Sequence, residues 1–486
     1  MAEIRRSKGI TKSERYLAQL ADRTFLNLWE YPNVYRDVIV NGHRVGKELC
    51  DLLVICGDHV IIFSVKTVDW PKKEDVNVAW SRWYKRAVKK SGNQVRGAER
   101  WISQDHTRIF LDSACSRELP IKIPPRESRR VHGIVVALGA HEACSKFFSG
   151  DSGRFLIIPS ILDGAHIDSS SDKYTPFAIG DIESKGSFIH VMNDVSLDII
   201  MRELDTITDF TEYLEQKSSL VRSGNLVFAA GEEELLAYYL THMTEEDKHG
   251  FIHPDGRPLI STDKISIESG HFRQLITNPY YIRKKEADKN SYVWDDLINK
   301  FAYHILKGTI VVPNGGAFEI SDHEIGVRQM ALEPRLVRRM LSDDILDIMT
   351  IANQRHRVCR AMTPYPETSG KGIGYVFMTL AKPEQTLNVS YTQYRKVRIN
   401  ILYAYCMGFF KKNRHLKRII GIATEPPPTS NDPFRSSEDM ITIESPTEWT
   451  QALEEEVEEM CKSYDILNEN TIRFHHLEVT EYPDDA

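Results

Sequence analysis

Two apolar runs separated by only two residues constrain the fold of this chain more than any other feature. They occupy residues 48–56 and 59–67, and the Gly57-Asp58 dipeptide between them is typical of a two-residue hairpin turn with glycine first. Apolar residues stand at both odd and even positions of each run. Because successive side chains of a strand point to opposite faces, both strands are predicted to be covered on both faces, at the centre of a layered α/β domain.

The turn also fixes which residues of the hairpin face each other. With Cys56 opposite His59, Asp51 lies opposite Ser64 on the same face, and Lys66 projects from that face two residues further along. A carboxylate, a hydroxyl and an amine are therefore predicted to converge where the hairpin ends. The alternative is a cross-strand ion pair between Asp51 and Lys66 at the rim of the sheet, which would be chemically inert.

Helical patterns flank the hairpin on both sides. Apolar residues recur at helical spacing over residues 13–29, and a long helix is predicted after the hairpin, at 78–102. Both helices are long enough to cover a face of the sheet. Further elements of this region are predicted as strands at 34–40, 131–138 and 188–192 and as a helix at 197–214.

This order of helix, strands, acid-bearing hairpin and helix resembles the PD-(D/E)xK nuclease superfamily. The resemblance extends over about residues 11–103 and rests on Asp51 followed by the triplet Ser64-Val65-Lys66. It implies a restriction-endonuclease-like mixed sheet flanked by helices. It also implies that Asp51 and a second acid hold Mg²⁺, with Mn²⁺ as an alternative, and that Lys66 helps to position or activate the attacking water. A hard cation on oxygen ligands assists phosphodiester hydrolysis, because it stabilises negative charge on the phosphate and favours ionisation of a bound water.

The sequence departs from the family pattern at Ser64, where an aspartate or glutamate is expected. Two acids are candidates to replace it as metal ligands. Glu48, also a candidate for the catalytic set, falls on the other face by strand parity, so it could contribute only across a bulge near Gly46. Glu14 stands on the first helix, where the family often has an acid. Its spacing from Thr11 equally fits a capping box, which is a purely structural role.

The helix at 78–102 carries an apolar stripe and a basic stripe at helical spacing. Basic side chains beside a metal site would contact the phosphate backbone of a nucleic acid, although a solvated helix face has the same pattern. Gln94 lies near the seam of the two stripes, and the resemblance implies a glutamine on this helix near the site, with an ordinary surface amide as the alternative. The predicted nucleic-acid-binding residues are Arg82, Arg86, Lys89, Gln94, Arg96 and Arg100.

The charge distribution agrees with a polyanionic partner for the first part of the chain. Residues 1–130 hold 25 lysines and arginines against 16 acids, a net charge of +9, so with a total of −7 the remainder carries −16. The seven cysteines are scattered and form no CxxC pair, which favours a reducing compartment. No apolar run approaches the roughly 18 residues of a membrane span. We therefore expect a cytoplasmic protein that binds nucleic acid and has no membrane partner. A homo-oligomer is compatible with this expectation.

Three regions are predicted along the chain. Residues 1–225 form the nuclease-like domain, residues 226–370 a mainly helical middle region, and residues 371–486, where strand and helix patterns alternate, a second small α/β unit. The prediction for the whole is a metal-dependent endonuclease that hydrolyses DNA, in a combination that looks like bacterial restriction or antiphage defence proteins. The alternatives are a catalytically inactive nucleic-acid-binding protein on the nuclease scaffold and a domain that mediates only protein contacts.

Overall fold

The structure is a computed structural model of the 486-residue chain. It describes residues 4, 6–72, 74–105, 108–149, 153–244, 248–309, 320–352, 355–364, 372–382, 389–427, 438–466 and 480–483. The helices are α1 (Lys12–Trp29), α2 (Val76–Tyr84), α3 (Lys90–Asp105), α4 (His141–Phe147), α5 (Asp194–Glu203), α6 (Ile207–Ser223), α7 (Glu232–Thr241), α8 (His271–Thr277), α9 (Pro279–Ala287), α10 (Tyr292–Lys307), α11 (Ile320–Ala331), α12 (Arg335–Ala352), α13 (Tyr391–Lys412) and α14 (Gln451–Ser463).

The strands belong to three sheets. They are β1 (Glu30–Val40), β2 (His43–Cys56), β3 (His59–Thr67), β4 (Ile109–Phe110), β5 (Arg130–Leu138), β6 (Leu156–Leu162), β7 (Ala178–Asp181), β8 (Ile189–Met192), β9 (Leu226–Ala229), β10 (Ile265–Ile267), β11 (Arg357–Met362), β12 (Ile373–Leu380), β13 (Arg418–Thr424) and β14 (Asp439–Glu444). The sheet orders are β4-β1-β2-β3-β5-β8, β10-β9-β6-β7 and β11-β12-β13-β14.

The chain divides into two compact units. The first comprises residues 1–282 and 298–324, and the second comprises 283–297 and 325–486. These units do not coincide with the three regions predicted from the sequence, because the predicted boundaries at 225 and 370 fall inside the first and the second unit.

The six-stranded sheet of the first unit is mixed. Strands β1, β2 and β3 pair antiparallel, and β3, β5 and β8 pair parallel. With helices on its faces, this sheet confirms the predicted α/β class with a mixed sheet flanked by helices. The strands of the hairpin lie in the middle of the sheet order, which explains why apolar residues occupy both of their faces.

The pairing of the hairpin has the predicted register. Cys56 pairs with His59, and the ladder continues in step to Leu52 opposite Phe63. All four side chains are at least half-buried, and three of them are fully enclosed. A slip by one residue would exchange the two faces of the hairpin, so this buried pairing determines where each polar side chain emerges.

Helices pack on both faces of the sheet. Gly133 on β5 pairs with Ile62, which places it on the Ser64 face, and a Cβ at Gly133 would lie 2.6 Å from the Val95 side chain of α3. On the opposite face, Phe63 contacts Phe25 of α1, and Phe25 in turn contacts Phe210 of α6. The hairpin is therefore enclosed between α3 on one side and α1 with α6 on the other.

The helix predicted at 78–102 has nearly the predicted extent but is not uniform. It consists of α2, a π-helical segment at Lys85–Lys89 and α3. Its apolar stripe packs inward as predicted, with Trp80 and Trp83 fully buried. The prediction of one helix at 197–214 is wrong in detail, because α5 ends near Leu204 and Thr206 caps the start of α6 with its side chain.

The sheet of the second unit matches part of the alternating pattern at the end of the chain. Strands β12 and β13 pair parallel, and α13, the helix that joins them, covers them with Leu402, Cys406 and Phe410. Strands β11 and β14, which pair antiparallel at the two edges, were not predicted. The strand predicted at 471–479 lies outside the described residues. Among the described residues, no helix is both long enough and apolar enough to cross a membrane.

The close approach of α3 to the sheet predicts opposite effects for two glycine-to-alanine substitutions. Gly133→Ala places a methyl group against Val95 and should destabilise the first unit by about 1–3 kcal/mol. Gly97→Ala, on α3 itself, adds a methyl group that meets nothing within 4 Å and should be neutral or stabilising by up to about 1 kcal/mol. Thermal unfolding monitored by circular dichroism measures both, and equal unfolding temperatures for the two variants would contradict this packing.

Candidate active site at the end of the hairpin

The carboxylate of Asp51 is the centre of the candidate site. The residue is 7% exposed, and its Oδ2 atom accepts a hydrogen bond of 2.6 Å from the backbone N–H of Val65 on the neighbouring strand. This bond holds one carboxylate oxygen against β3 and leaves Oδ1 for other partners. A buried acid is costly unless its environment compensates for the lost hydration.

Gln94 of α3 joins Asp51 to Ser64. The hydroxyl of Ser64 donates to Gln94 Oε1 at 3.1 Å, and Gln94 Nε2 lies 3.5 Å from Asp51 Oδ1. The structure thus brings together three residues that were predicted from the sequence. They include Gln94, for which the alternative prediction was an ordinary surface amide. Because Gln94 accepts from the serine and faces the aspartate with its amide N–H, it orients both side chains.

A bulge in β2 changes the position of Glu48. Val34 of β1 pairs with Cys50, whereas the next residue, Tyr35, pairs with Glu48, so Leu49 is an extra residue on β2. An extra residue reverses the alternation of side chains beyond it. Glu48 therefore shares the face of Asp51, and the expectation from uninterrupted strand parity, which placed it on the other face, is wrong. The bulge lies at Leu49, beside Glu48, and not near Gly46.

Asn33, which was not among the predicted site residues, connects Glu48 to the first helix. Its Nδ2 atom donates to Glu14 at 2.9 Å and to Glu48 at 3.0 Å, and its Oδ1 accepts from Ser7. Asn33 is 1% exposed and adopts a φ of 51°, a left-handed conformation that asparagine tolerates better than most residues. The Pro32-Asn33 dipeptide directly before the strand predicted at 34–40 is the sequence signal that could have indicated this irregularity.

Glu14 has the structural role that its spacing suggested. Its Oε2 atom accepts from the backbone N–H groups of Ile10 and Thr11 as well as from Asn33, and the Thr11 hydroxyl accepts from the Glu14 N–H. The reciprocal capping box at the start of α1 is complete. Three hydrogen bonds on one oxygen commit that atom to the helix cap, so Glu14 contributes mainly negative charge to the neighbourhood of Asp51.

The electrostatics of the site follow from this arrangement. Burial is the largest cause that raises the pKa of Asp51 from 3.8 to about 6, and the hydrogen bond from Val65 acts in the opposite direction. The nearby charges of Glu48 and Glu14 raise the pKa of Asp51 further. A buried carboxylate beside two other acids is an environment that a bound cation would stabilise.

The donor chemistry of the site fits a hard divalent cation. Asp51 and Glu48 offer carboxylate oxygens on one face of the sheet, which Mg²⁺ and Mn²⁺ prefer. Within the described part of the chain, however, Asp51, Glu48 and Glu14 do not form a cluster of three ligand atoms within 4.8 Å of one another. Glu48 is exposed, so rotation of its side chain away from Asn33 is the movement that would complete a two-carboxylate site.

Lys66 lies on the predicted strand and face but forms no pair with Asp51. It stands on β3 opposite Ala137 of β5, and its side chain is partly exposed. Across the described ranges, no ion pair of Lys66 occurs within 4.0 Å, which removes the alternative of an inert Asp51–Lys66 bridge. The ammonium group is therefore available to a ligand at this end of the hairpin.

Only some residues of the predicted basic stripe are available to contact a nucleic acid. Arg86, Lys89 and Arg100 are exposed, whereas Arg82 forms an ion pair with Glu74. Arg96 departs furthest from the prediction. It is 12% exposed, pairs with Glu99 within α3, and holds α3 to the loop before β8 through Glu183 and Ser187. A substitution of Arg96 would therefore disturb the fold, whatever else it affects.

None of the protein-family models, curated proteins and solved structures compared with the chain matches it. The function is therefore inferred from the residues of the site.

The raised pKa of Asp51 predicts a specific pH dependence of stability. Because the folded state binds this proton more tightly than the unfolded state, its contribution to stability falls as pH rises from about 4 to about 6. Asp51→Asn keeps the acceptor for Val65 and removes the titration, so without metal the variant should be more stable than the wild type above pH 6, by up to about 3 kcal/mol.

The measurement is the difference between the unfolding temperatures of the two proteins in chelator at pH 4, 5, 6 and 7. Other buried acids titrate equally in both proteins and cancel in this difference. A difference that stays constant across the series would contradict the assigned environment of Asp51.

Proposed function

We propose that the first unit hydrolyses phosphodiester bonds of DNA with a divalent cation, Mg²⁺ or Mn²⁺. The observation that carries the proposal is the bulge at Leu49, which brings the carboxylate of Glu48 to the face of the buried Asp51. Glu48 thereby supplies an acid close to Ser64, the position of the Ser64-Val65-Lys66 triplet at which the nuclease pattern has an acid. Lys66 emerges from the same face with no partner among the described residues.

Each residue has a separate role in this proposal. Asp51 and Glu48 would hold the cation, which when bound neutralises charge on the phosphate and favours ionisation of a water. Gln94 fixes the Asp51 side chain and the Ser64 hydroxyl through its two amide atoms. Lys66 is the positioning cation for a phosphate oxygen or a water. Asn33 holds Glu48 close to the site until the cation is present.

The exposed basic side chains supply the contacts to substrate. Arg86 and Lys89 lie on the π-helical segment between α2 and α3, and Arg100 lies about three to four turns further along, on α3. Phosphate contacts of this kind give affinity that is independent of sequence and decreases with salt. DNA binding should therefore weaken with each charge that is removed.

A second function, binding of nucleic acid without cleavage, is favoured because two polar groups of the site already have structural hydrogen bonds. The Ser64 hydroxyl donates to Gln94, and one oxygen of Glu14 belongs to the helix cap, so two acids remain for a metal. A protein that binds nucleic acid on this scaffold without cutting it is consistent with that reduced set. Cleavage and binding must be measured on the same preparations.

Plasmid cleavage tests the enzymatic proposal. With Mg²⁺ or Mn²⁺ and supercoiled plasmid, Asp51→Asn, Glu48→Gln and Lys66→Gln should each lower the cleavage rate by about 100-fold or more, because each removes a group that acts on the reacting phosphate. Asp58→Asn, at the exposed turn of the same hairpin, removes a carboxylate far from the site and should cut at the wild-type rate. A wild type that shifts DNA in a gel but cuts under neither metal would establish the binding protein instead.

Salt-dependent binding tests the assigned substrate surface. Arg86→Gln with Lys89→Gln should weaken DNA binding and reduce the slope of log affinity against log salt by about 2, one for each phosphate that is no longer neutralised. Two exposed residues outside this surface, Lys122→Gln with Arg126→Gln, provide the control for the same change of charge. Equal salt slopes for the two double variants, measured by fluorescence anisotropy, would reject the helix as the binding surface.

A further inference from the structure

Two histidines and a glutamate converge at the turn end of the hairpin, away from Asp51. They are His59 at the start of β3, His132 on β5 and Glu215 on α6, and one ligand atom of each lies within 4.8 Å of the other two. By strand alternation both histidines project from the face opposite Ser64. The cluster therefore shares neither a residue nor a face with the proposed nuclease site.

The donor atoms already have spacings close to those of a metal centre. His59 Nδ1 lies 3.1 Å from His132 Nε2, and His132 Nε2 lies 3.8 Å from Glu215 Oε1. Nitrogen and oxygen ligands of a tetrahedral zinc ion, at about 2.0–2.1 Å from the metal, are separated by about 3.3 Å. Small rotations of three side chains would convert the observed contacts into ligand bonds.

Burial disfavours the charged form of the His132 imidazole. His132 is 5% exposed, and burial, together with the neighbouring His59 and Arg130, lowers its pKa to about 3. A neutral imidazole is the form that coordinates a metal, so no proton has to be displaced from His132 at neutral pH. The positive charge beside the cluster is that of Arg130, which pairs with Glu215.

We propose that His59, His132 and Glu215 form a binding site for a zinc-class divalent cation that ties β3, β5 and α6 together. Two imidazoles with one carboxylate suit Zn²⁺, and nitrogen donors disfavour Mg²⁺. Three protein ligands leave the fourth position to water. Because His59 and Glu215 are partly exposed, the cation can enter from solvent, and Arg130 remains as a hydrogen-bonding partner of the glutamate.

Calorimetric titration of the metal-free full-length chain with ZnCl₂ tests this site. The wild type should bind one equivalent of zinc whose affinity falls at least about 10-fold in His59→Gln and in Glu215→Gln, each of which removes one ligand, apart from any zinc held at Asp51 and Glu48. His253→Gln is the matched control, since His253 also contacts a carboxylate, Asp255 at 2.7 Å, but stands outside the cluster. Both ligand variants alter partly exposed residues, which keeps the test usable if His132→Gln fails to fold.

Additional titrations distinguish this site from zinc bound elsewhere on the chain. Asp51→Asn should keep the zinc equivalent that His59→Gln loses, because the two sites share no residue. The heat of MgCl₂ binding should be the same in the wild type and in His59→Gln, because nitrogen donors disfavour Mg²⁺. Co²⁺ should give the visible absorption of a tetrahedral complex in the wild type and not in His59→Gln. Zinc bound through cysteines would survive in His59→Gln, which keeps all seven cysteines. Unchanged affinity in both ligand variants, or no binding to the wild type at micromolar zinc, would overturn the proposal.

Discussion

The buried pairing between β2 and β3 determines on which face of the sheet the polar side chains of these two strands lie. Its register begins at the Gly57-Asp58 turn, and apolar side chains on both faces hold it in place. Since a slip of one residue would exchange the two faces, the cost of exposing those side chains fixes Asp51 on one face and His59 on the other. Both proposed metal sites therefore depend on this pairing, although each also needs residues from other elements.

The strongest predictions from sequence were those that depended on local rules. The turn gave the register of the hairpin, helical spacing gave α1 almost to the residue, and the Thr11–Glu14 spacing gave the capping box. These features follow from residues near one another in the chain, so a single sequence contains the information. The same holds for the apolar stripe of the helix at 78–102, which is buried.

The features that could not be predicted from the sequence arise from interactions between distant segments of the chain. The bulge at Leu49 depends on how β1 pairs with β2, and the clamp of Asn33 on Glu14 and Glu48 needs three segments in place. Arg96 fits the spacing of the basic stripe, but in the folded protein it contacts Glu183 and Ser187, which lie some ninety residues away in the chain. The convergence of His59, His132 and Glu215 joins residues more than seventy positions apart and carries no local signature.

We propose above all that Asp51 and Glu48 share a divalent cation on one face of the sheet. A crystal of the full chain grown with MnCl₂ and measured by anomalous diffraction tests it most directly, because manganese is located independently of the protein atoms. The account predicts a manganese peak about 2.1 Å from a carboxylate oxygen of Asp51 and of Glu48, with Glu48 turned away from Asn33. Asp51 without a manganese neighbour, or a manganese ion on Asp51 with Glu48 still bonded to Asn33, would contradict it.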